Sequence, residues 1–295
     1  MKSALRIETK DAVPMDPRTD LPAQFLGGVV AAAHEPLRIL DHIPASPMEG
    51  PSIEFIAHTS TVGSAGMVAA GGAKPQVQFI TTPTILTARK IALWTALLDE
   101  NLDDFPTFAA YIANELQRLI VDTENDQVLN GDGTGENLKG LLHQTGILTR
   151  DHTADVTADP DATGLDTMEM AIADLRTGAA FVDPDMIVMH PTTWSKLRRT
   201  KDGQGRYILN PDPSSSEANT LWGIPVLPTT TCAVGTSLVA NLEKGAQAFQ
   251  RKGFVIETTN SAGDAFTTNQ TLFRAEERLT LGSPRPAALL KVTNL

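Results

Sequence analysis

The stretch from Asp103 to Leu142, DDFPTFAAYIANELQRLIVDTENDQVLNGDGTGENLKGLL, constrains the fold more than any other part of the chain. Its apolar residues Phe105, Phe108, Ile112, Leu116, Leu119 and Ile120 recur three and four positions apart, which lines one face of a helix of roughly 25 residues. Asp103 and Asp104 are suited to accept hydrogen bonds from the first free backbone N–H groups, and Pro106 fits the first turn. Asn130-Gly-Asp-Gly-Thr-Gly135 then packs three glycines into five positions. Such a run supplies the positive φ angles that stop a helix and reverse the chain.

The formal charge of −11 argues against a dedicated nucleic-acid binder, which needs clustered Lys and Arg to neutralise phosphates. The one cysteine, Cys232, has no partner for a disulfide and no Cys or His at ligand spacing, so a buried apolar role is expected. The apolar run Phe25 to Ala33 is too short to span a bilayer and lacks a signal-peptide layout, so no membrane partner and an intracellular site of action are expected.

Residues 1–51 carry scattered prolines and charges and only one short apolar run, Leu21 to Glu35. They read as an arm that orders on another molecule, because ordering costs about 1–2 kcal/mol per residue that only contacts can offset. Deleting the residues before Pro51 is accordingly expected to spare folding and impair assembly. From Ser52 the pattern turns to period two at Ile53, Phe55 and Ala57, and again at Val77, Phe79 and Thr81. Between these strands lies Thr61-Val-Gly-Ser-Ala-Gly-Met-Val-Ala-Ala-Gly-Gly-Ala-Lys74, too long for a tight turn, so a protruding hairpin that leans on a neighbouring subunit is expected. Thr84 to Leu98 mixes strand and helix signals. Asp151 to Thr163 is polar and rich in breakers, and a helix over 166–177 is expected to open on Asp166 and Glu169 in capping-box spacing. Met186 to His190 reads as a covered strand, Pro191 opens a helix with Trp194 and Leu197 inward, and Leu221 to Pro228 reads as an edge or bulged strand. These alternations predict an α/β lobe over 138–248, inserted into a second domain whose strands, with Phe273, Ala275, Leu279 and Leu281 inward, return to the long helix.

Several motifs invite chemistry and decline it. The glycine run follows a helix rather than a strand and lacks a Lys-Ser/Thr pair, so it is a poor phosphate cradle. As a calcium loop it puts Leu141 where a bidentate Glu belongs. The six histidines show no metal spacing, and Ser64 lacks a nucleophile-elbow context. No cofactor or metal is expected. Arg274 to Arg278 reads as a salt-bridged framework strand with Glu276 and Glu277 on opposite faces.

Four ordered motifs add up to more than any one of them: Val128-Leu-Asn-Gly-Asp-Gly-Thr-Gly-Glu-Asn-Leu-Lys-Gly-Leu141, Lys201-Asp-Gly-Gln-Gly-Arg-Tyr207, Trp222-Gly-Ile-Pro-Val-Leu-Pro-Thr229, and Glu276-Glu-Arg-Leu279 running on to Arg285-Pro-Ala-Ala288. In this order the chain resembles the major capsid proteins of tailed bacteriophages of the Hong Kong ninety-seven type. The resemblance implies an α+β fold with an N-terminal arm (1–51), an extended hairpin loop (52–82), a peripheral domain (83–137 and 249–295) with a spine helix at 104–129, and an axial domain (138–248). It implies a structural protein of the virion, assembled in the host cytoplasm as hexamers and pentamers around double-stranded DNA, with portal, scaffolding and decoration proteins as partners. Some relatives carry a scaffolding region before the arm, for which this sequence has no room, so a separate scaffolding protein or a modified self-assembly route is expected.

The type member also joins its subunits by isopeptide bonds. By position, Lys74 matches the loop lysine, Asn269 the acceptor asparagine and Glu276 the assisting carboxylate. A neutral Lys74 would attack the Asn269 carboxamide and expel ammonia while Glu276 takes the proton, in an apolar surround to which Val62, Met67 and Val68 could contribute. The competing reading gives Lys74 an acidic neighbour and Asn269 a turn. Two other functions remain at this stage: an encapsulin-type nanocompartment shell and a phosphate- or nucleotide-binding enzyme.

Overall fold

The computed structural model describes residues 33–35, 37–104, 106–209 and 219–295. After a 3-10 turn at Ile39–His42 come β1 (Ala45–Pro47), β2 (Ser52–Val62), β3 (Gln78–Thr87), β4 (Arg89–Leu98), α1 (Asp99–Asp104) and α2 (Pro106–Asn130). The glycine turn leads to β5 (Leu148–Asp151), α3 (His152–Ala158), α4 (Gly164–Thr177), β6 (Met186–Met189) and α5 (Pro191–Arg198). Next are β7 (Thr220–Leu221), β8 (Ile224–Pro228), β9 (Ser237–Ala240), α6 (Leu242–Gly245), the long β10 (Gln247–Thr259) and β11 (Gln270–Gly282), and β12 (Leu289–Thr293). Two compact units result, one holding residues 90–123 and 252–277, the other 35–89, 124–251 and 278–295.

In the first unit β10, β11 and β4 are neighbours in that order. Leu116 and Ile120 of α2 bury with Phe273 and Ala275 of β11, and Ile91, Leu93, Ile112 and Phe254 pack around them. The C-terminal strands do return to the long helix. Leu119, expected inward, is 40% exposed. Ile112, Leu116 and Ile120 form one row of fourth residues, and Leu119 lies about 100° round the helix from Ile120. Asp103, expected at a helix start, lies inside α1, whose helical residues begin at Asp99. Thr84 to Leu98, left open by its sequence, is mostly strand, its alternation carrying Ile91, Leu93 and Leu97 inward.

The second unit holds a six-stranded sheet in the order β5-β12-β9-β6-β8-β7. Ile187 and Met189 face Met168, Ile172 and Leu175 of α4 and Trp194 and Leu197 of α5. Val188 faces the other way, with Val128 and Leu129 of α2 and with Ile39 and Leu40. A strand covered on both faces explains why Met186 to Met189 reads as one apolar run. The α4 cap is Thr163, whose hydroxyl and backbone N–H form a capping box with Asp166, three residues before the Glu169 register read from sequence. Asp151 to Thr163 is not a plain loop: α3 occupies most of it, capped by Asp151 and with no buried residue, hence no apolar period to detect.

Two segments lie elsewhere than their sequence suggested. β12 pairs in parallel with β5 and antiparallel with β9, so residues 289–293 sit within the lobe's sheet and not with the peripheral strands. The expected arm is shorter than 51 residues, for Ile39, Leu40, Ile43 and Met48 are all buried and β1 pairs with Ala248 to Gln250. Deletion up to Pro51 would therefore take core side chains with it. Residues 1–32 lie outside the described residues.

Candidate functional site

β2 and β3 form a two-stranded antiparallel ribbon paired from Ser52–Thr87 to Val62–Gln78, with a register shift between His58 and Ser60. Eleven residues of β2 span about 35 Å. The pairs Glu54–Ile85, Ile56–Pro83 and Thr61–Phe79 put a stripe of apolar side chains on one face, where Ile56 is 70%, Phe79 69% and Ile85 66% exposed. The opposite face is seated at the root: a Cβ on Gly282 of β11 would stand 2.4 Å from Leu86 and 3.4 Å from Phe55. A ribbon of two strands is marginal in water, and an exposed apolar stripe of this kind marks an interaction surface.

The glycine run at the end of α2 is a backbone crossing with no ligand geometry. Gly140 donates its N–H to Gly131 O at 2.8 Å, and a Cβ on Gly140 would lie 2.6 Å from Gly131 N and 2.7 Å from Leu129 O. Gly133 and Gly135 have φ of +74° and +57°. The Asp132 carboxylate accepts from Thr134 Oγ1 at 2.6 Å, Thr134 N at 3.0 Å and Asn137 Nδ2 at 2.8 Å, and these bonds, the Thr134 hydroxyl foremost, hold its pKa down to about 2. Its oxygens are spent on the turn itself. Among the described residues no three His, Cys, Asp or Glu side chains gather as a metal site. Cys232 is buried as expected, and burial pushes its thiol up to about 11.

The three residues of the expected cross-link fall in different surroundings. Lys74 is exposed in the 63–77 loop beyond β2 and β3, where Met67 is fully exposed and Val62 and Val68 are 54% and 40% exposed. Asn269 belongs to the other unit, exposed, with φ +50° and its carbonyl accepting from Asp99 N at 2.9 Å. An asparagine tolerates that left-handed conformation better than most residues. Glu276 stands on β11 with Arg274 Nε at 3.4 Å, Lys90 Nζ at 3.7 Å and Lys252 Nζ at 3.9 Å. The neighbouring Glu257 carboxyl is held below its ordinary range by Arg274 and Lys252. Seven positions of mostly extended chain separate Asn269 from Glu276, about 20 Å.

Sequence reasoning missed a clasp on the segment before β1. Glu124, fully buried, accepts two bonds from Arg38, Nε to Oε1 at 2.8 Å and Nη2 to Oε2 at 2.5 Å. Asn125 accepts from Ile39 N at 2.9 Å and donates to Leu37 O at 2.7 Å, and Glu35 accepts from Thr230 N and Oγ1. The one available signal was a Glu-Asn pair inside an amphipathic helix at positions that should have been apolar.

A long helix packed on a strand layer, a six-stranded sheet covered on both faces and a two-stranded ribbon with an exposed apolar stripe are the parts of a subunit with surface left for other copies. A profile of the phage capsid family matches residues 21–294, and the chain belongs to that family. The major capsid protein of Enterobacteria phage HK97 is 30% identical over 266 residues, covering 90% of this chain and 67% of that protein. The capsid of a native GTA particle superposes with a TM-score of 0.74 at 18% identity over 96% of this chain and 98% of that one. A chain of Mycobacterium phage Bobi gives 0.69 at 14% identity over 92% and 95%. The family is one of structural proteins that form the multimeric shell of the virion, and the α+β capsid fold expected from the sequence holds.

Proposed function

We propose that this chain is the major capsid protein of a tailed bacteriophage, assembling in the host cytoplasm as hexamers and pentamers into an icosahedral shell around double-stranded DNA. A portal and a scaffolding protein are its expected partners. The observation that carries this reading is the β2–β3 ribbon, some 35 Å of strand whose outer face keeps Ile56, Phe79 and Ile85 in water until a neighbouring copy covers them. Residues 52–82 then act as the extended loop, 104–129 as the spine helix and 138–248 as the core of the axial domain. Electron microscopy of the purified protein tests it: closed shells are expected, and a protein that stays monodisperse at high concentration would refute it. Shells that carry enzyme cargo and no DNA or portal would instead favour the nanocompartment.

The same reading takes Lys74, Asn269 and Glu276 as the cross-linking set, each from a different copy. Exposure of Lys74 and Asn269, and the roughly 20 Å along β11 that separates Asn269 from Glu276, support an inter-subunit arrangement. In the bond-forming step the Lys74 amine adds to the Asn269 carboxamide carbon, Glu276 accepts its proton and passes it to the amide nitrogen, and the C–N bond to that nitrogen breaks to release ammonia. Boiling mature shells in detergent should give ladders above 31.6 kDa on a gel, abolished by Lys74→Arg; monomers alone would remove this part of the proposal.

A further inference from the structure

The turn between β7 and β8 has two residues, Trp222 and Gly223, with φ of +53° and +81°, and Leu221 pairs with Ile224 across it. Two-residue hairpin turns with both φ positive prefer Asn-Gly, and a bulky residue there is an outlier. Trp222 is nevertheless 57% exposed, so packing within its own unit does not explain it. Phe181 repeats the pattern, with φ +49° and 76% exposure in the loop between α4 and β6. Strained residues of this kind point to function when the fold gives them no internal reward.

Topology puts both at the same end of the sheet. β6 and β8 are adjacent and parallel, Ile187 beside Val226, so the Phe181 loop entering β6 and the Trp222 turn entering β8 lie at one end of the sheet. β9 runs antiparallel and ends there too, handing over to α6, whose first N–H groups bond to Asp185. The rim carries both signs: Arg176 paired with Asp183 at 2.7 Å, and the exposed Glu243 and Lys244. We propose that this end of the six-stranded sheet is a contact surface between copies of the chain, with Trp222 and Phe181 as its aromatic anchors. Two exposed aromatics inside a balanced ring of charge suit a second copy presenting the same ring in another orientation. A nucleic acid would call for cations alone. The proposal rests on the shell-subunit reading for the supply of neighbouring copies and adds to it the residues of one contact.

Asparagine is the discriminating substitution, since it relieves the backbone while removing the aromatic ring. With the full chain, Trp222→Asn and Phe181→Asn are expected to melt at or above the wild-type temperature and to raise the concentration threshold for assembly about tenfold each, by light scattering and sedimentation velocity. Trp222→Tyr should restore most of the loss, and Val234→Asn, 68% exposed at the opposite end of the sheet, should leave the threshold alone. Thresholds within twofold of wild type for both folded Asn variants would overturn the proposal, as would an equal effect of Val234→Asn. If the wild-type chain forms open oligomers that these variants weaken, the contact stands and the closed-shell reading falls. If it remains monomeric at every concentration, both fall.

Discussion

Truncation of Arg38 should be among the most damaging single changes outside the apolar core. Glu124 is fully buried and receives two charge-assisted bonds from one guanidinium, while the Arg38 side chain is 31% exposed. Removing one member of a buried pair typically costs 3–5 kcal/mol. Because Arg38 reaches the surface, water can enter the space vacated by Arg38→Ala, which places the expected loss near the lower figure, about 3 kcal/mol. The further contact to Asp41 at 3.8 Å, on a side chain 68% exposed, adds little. At about 2–4 °C per kcal/mol for a unit of 150–250 residues, the melting temperature should fall by roughly 6–12 °C. Denaturant unfolding of the unassembled chain measures it, and the double variant Arg38→Met/Glu124→Leu supplies the control, since replacing both charges by apolar groups of similar size is often neutral. A loss below about 1 kcal/mol for Arg38→Ala, or a double variant as unstable as the single, would refute the reasoning.

Three further outcomes follow from the same geometry. Gly140→Ala should destabilise by several kcal/mol, because its Cβ would meet backbone atoms of Leu129 and Gly131 that cannot rotate away; thermal melting within 2 °C of wild type would contradict the crossing. Asp132, depressed to about 2 from an ordinary value near 3.8, adds to stability above pH 4, and that contribution disappears as pH falls from about 4 to 2; carboxyl NMR titration should give a midpoint near 2, which Thr134→Val raises. Cys232, raised to about 11 by burial, should not react with iodoacetamide at pH 8 until the chain is unfolded, and rapid labelling of the native protein would show the thiol accessible.

What the sequence disclosed, it disclosed through local rules. The long helix, its glycine stop, the hairpin and the β6–α5 unit each carry a period or a turn signal within about 15 residues. What it hid depends on distant partners or on none. β12 looks like any apolar strand, and only pairing with Leu148 and Val239 assigns it to the lobe. Ile39, Leu40 and Ile43 are too few to show a period, and the Glu124–Asn125 clasp that fixes their neighbourhood lies some 85 positions away. α3 was invisible because nothing on it is buried. The reading of Lys74, Asn269 and Glu276 as a cross-linking set rests on family resemblance alone, since no local rule distinguishes a reactive lysine from one that is merely exposed.

The position of β12 between β5 and β9 also has a consequence in time. Leu148 and its partner Leu290 are roughly 140 positions apart, and synthesis proceeds at about 5–20 residues per second, so β5 waits on the order of ten seconds for its neighbour to emerge. Until then β9 has only β6 beside it, and the lobe's sheet is open at its middle. A subunit still on the ribosome cannot finish the lobe, and the facing edges of β5 and β9 stay unpaired, the condition that favours aggregation, until nearly the whole chain is available to close them.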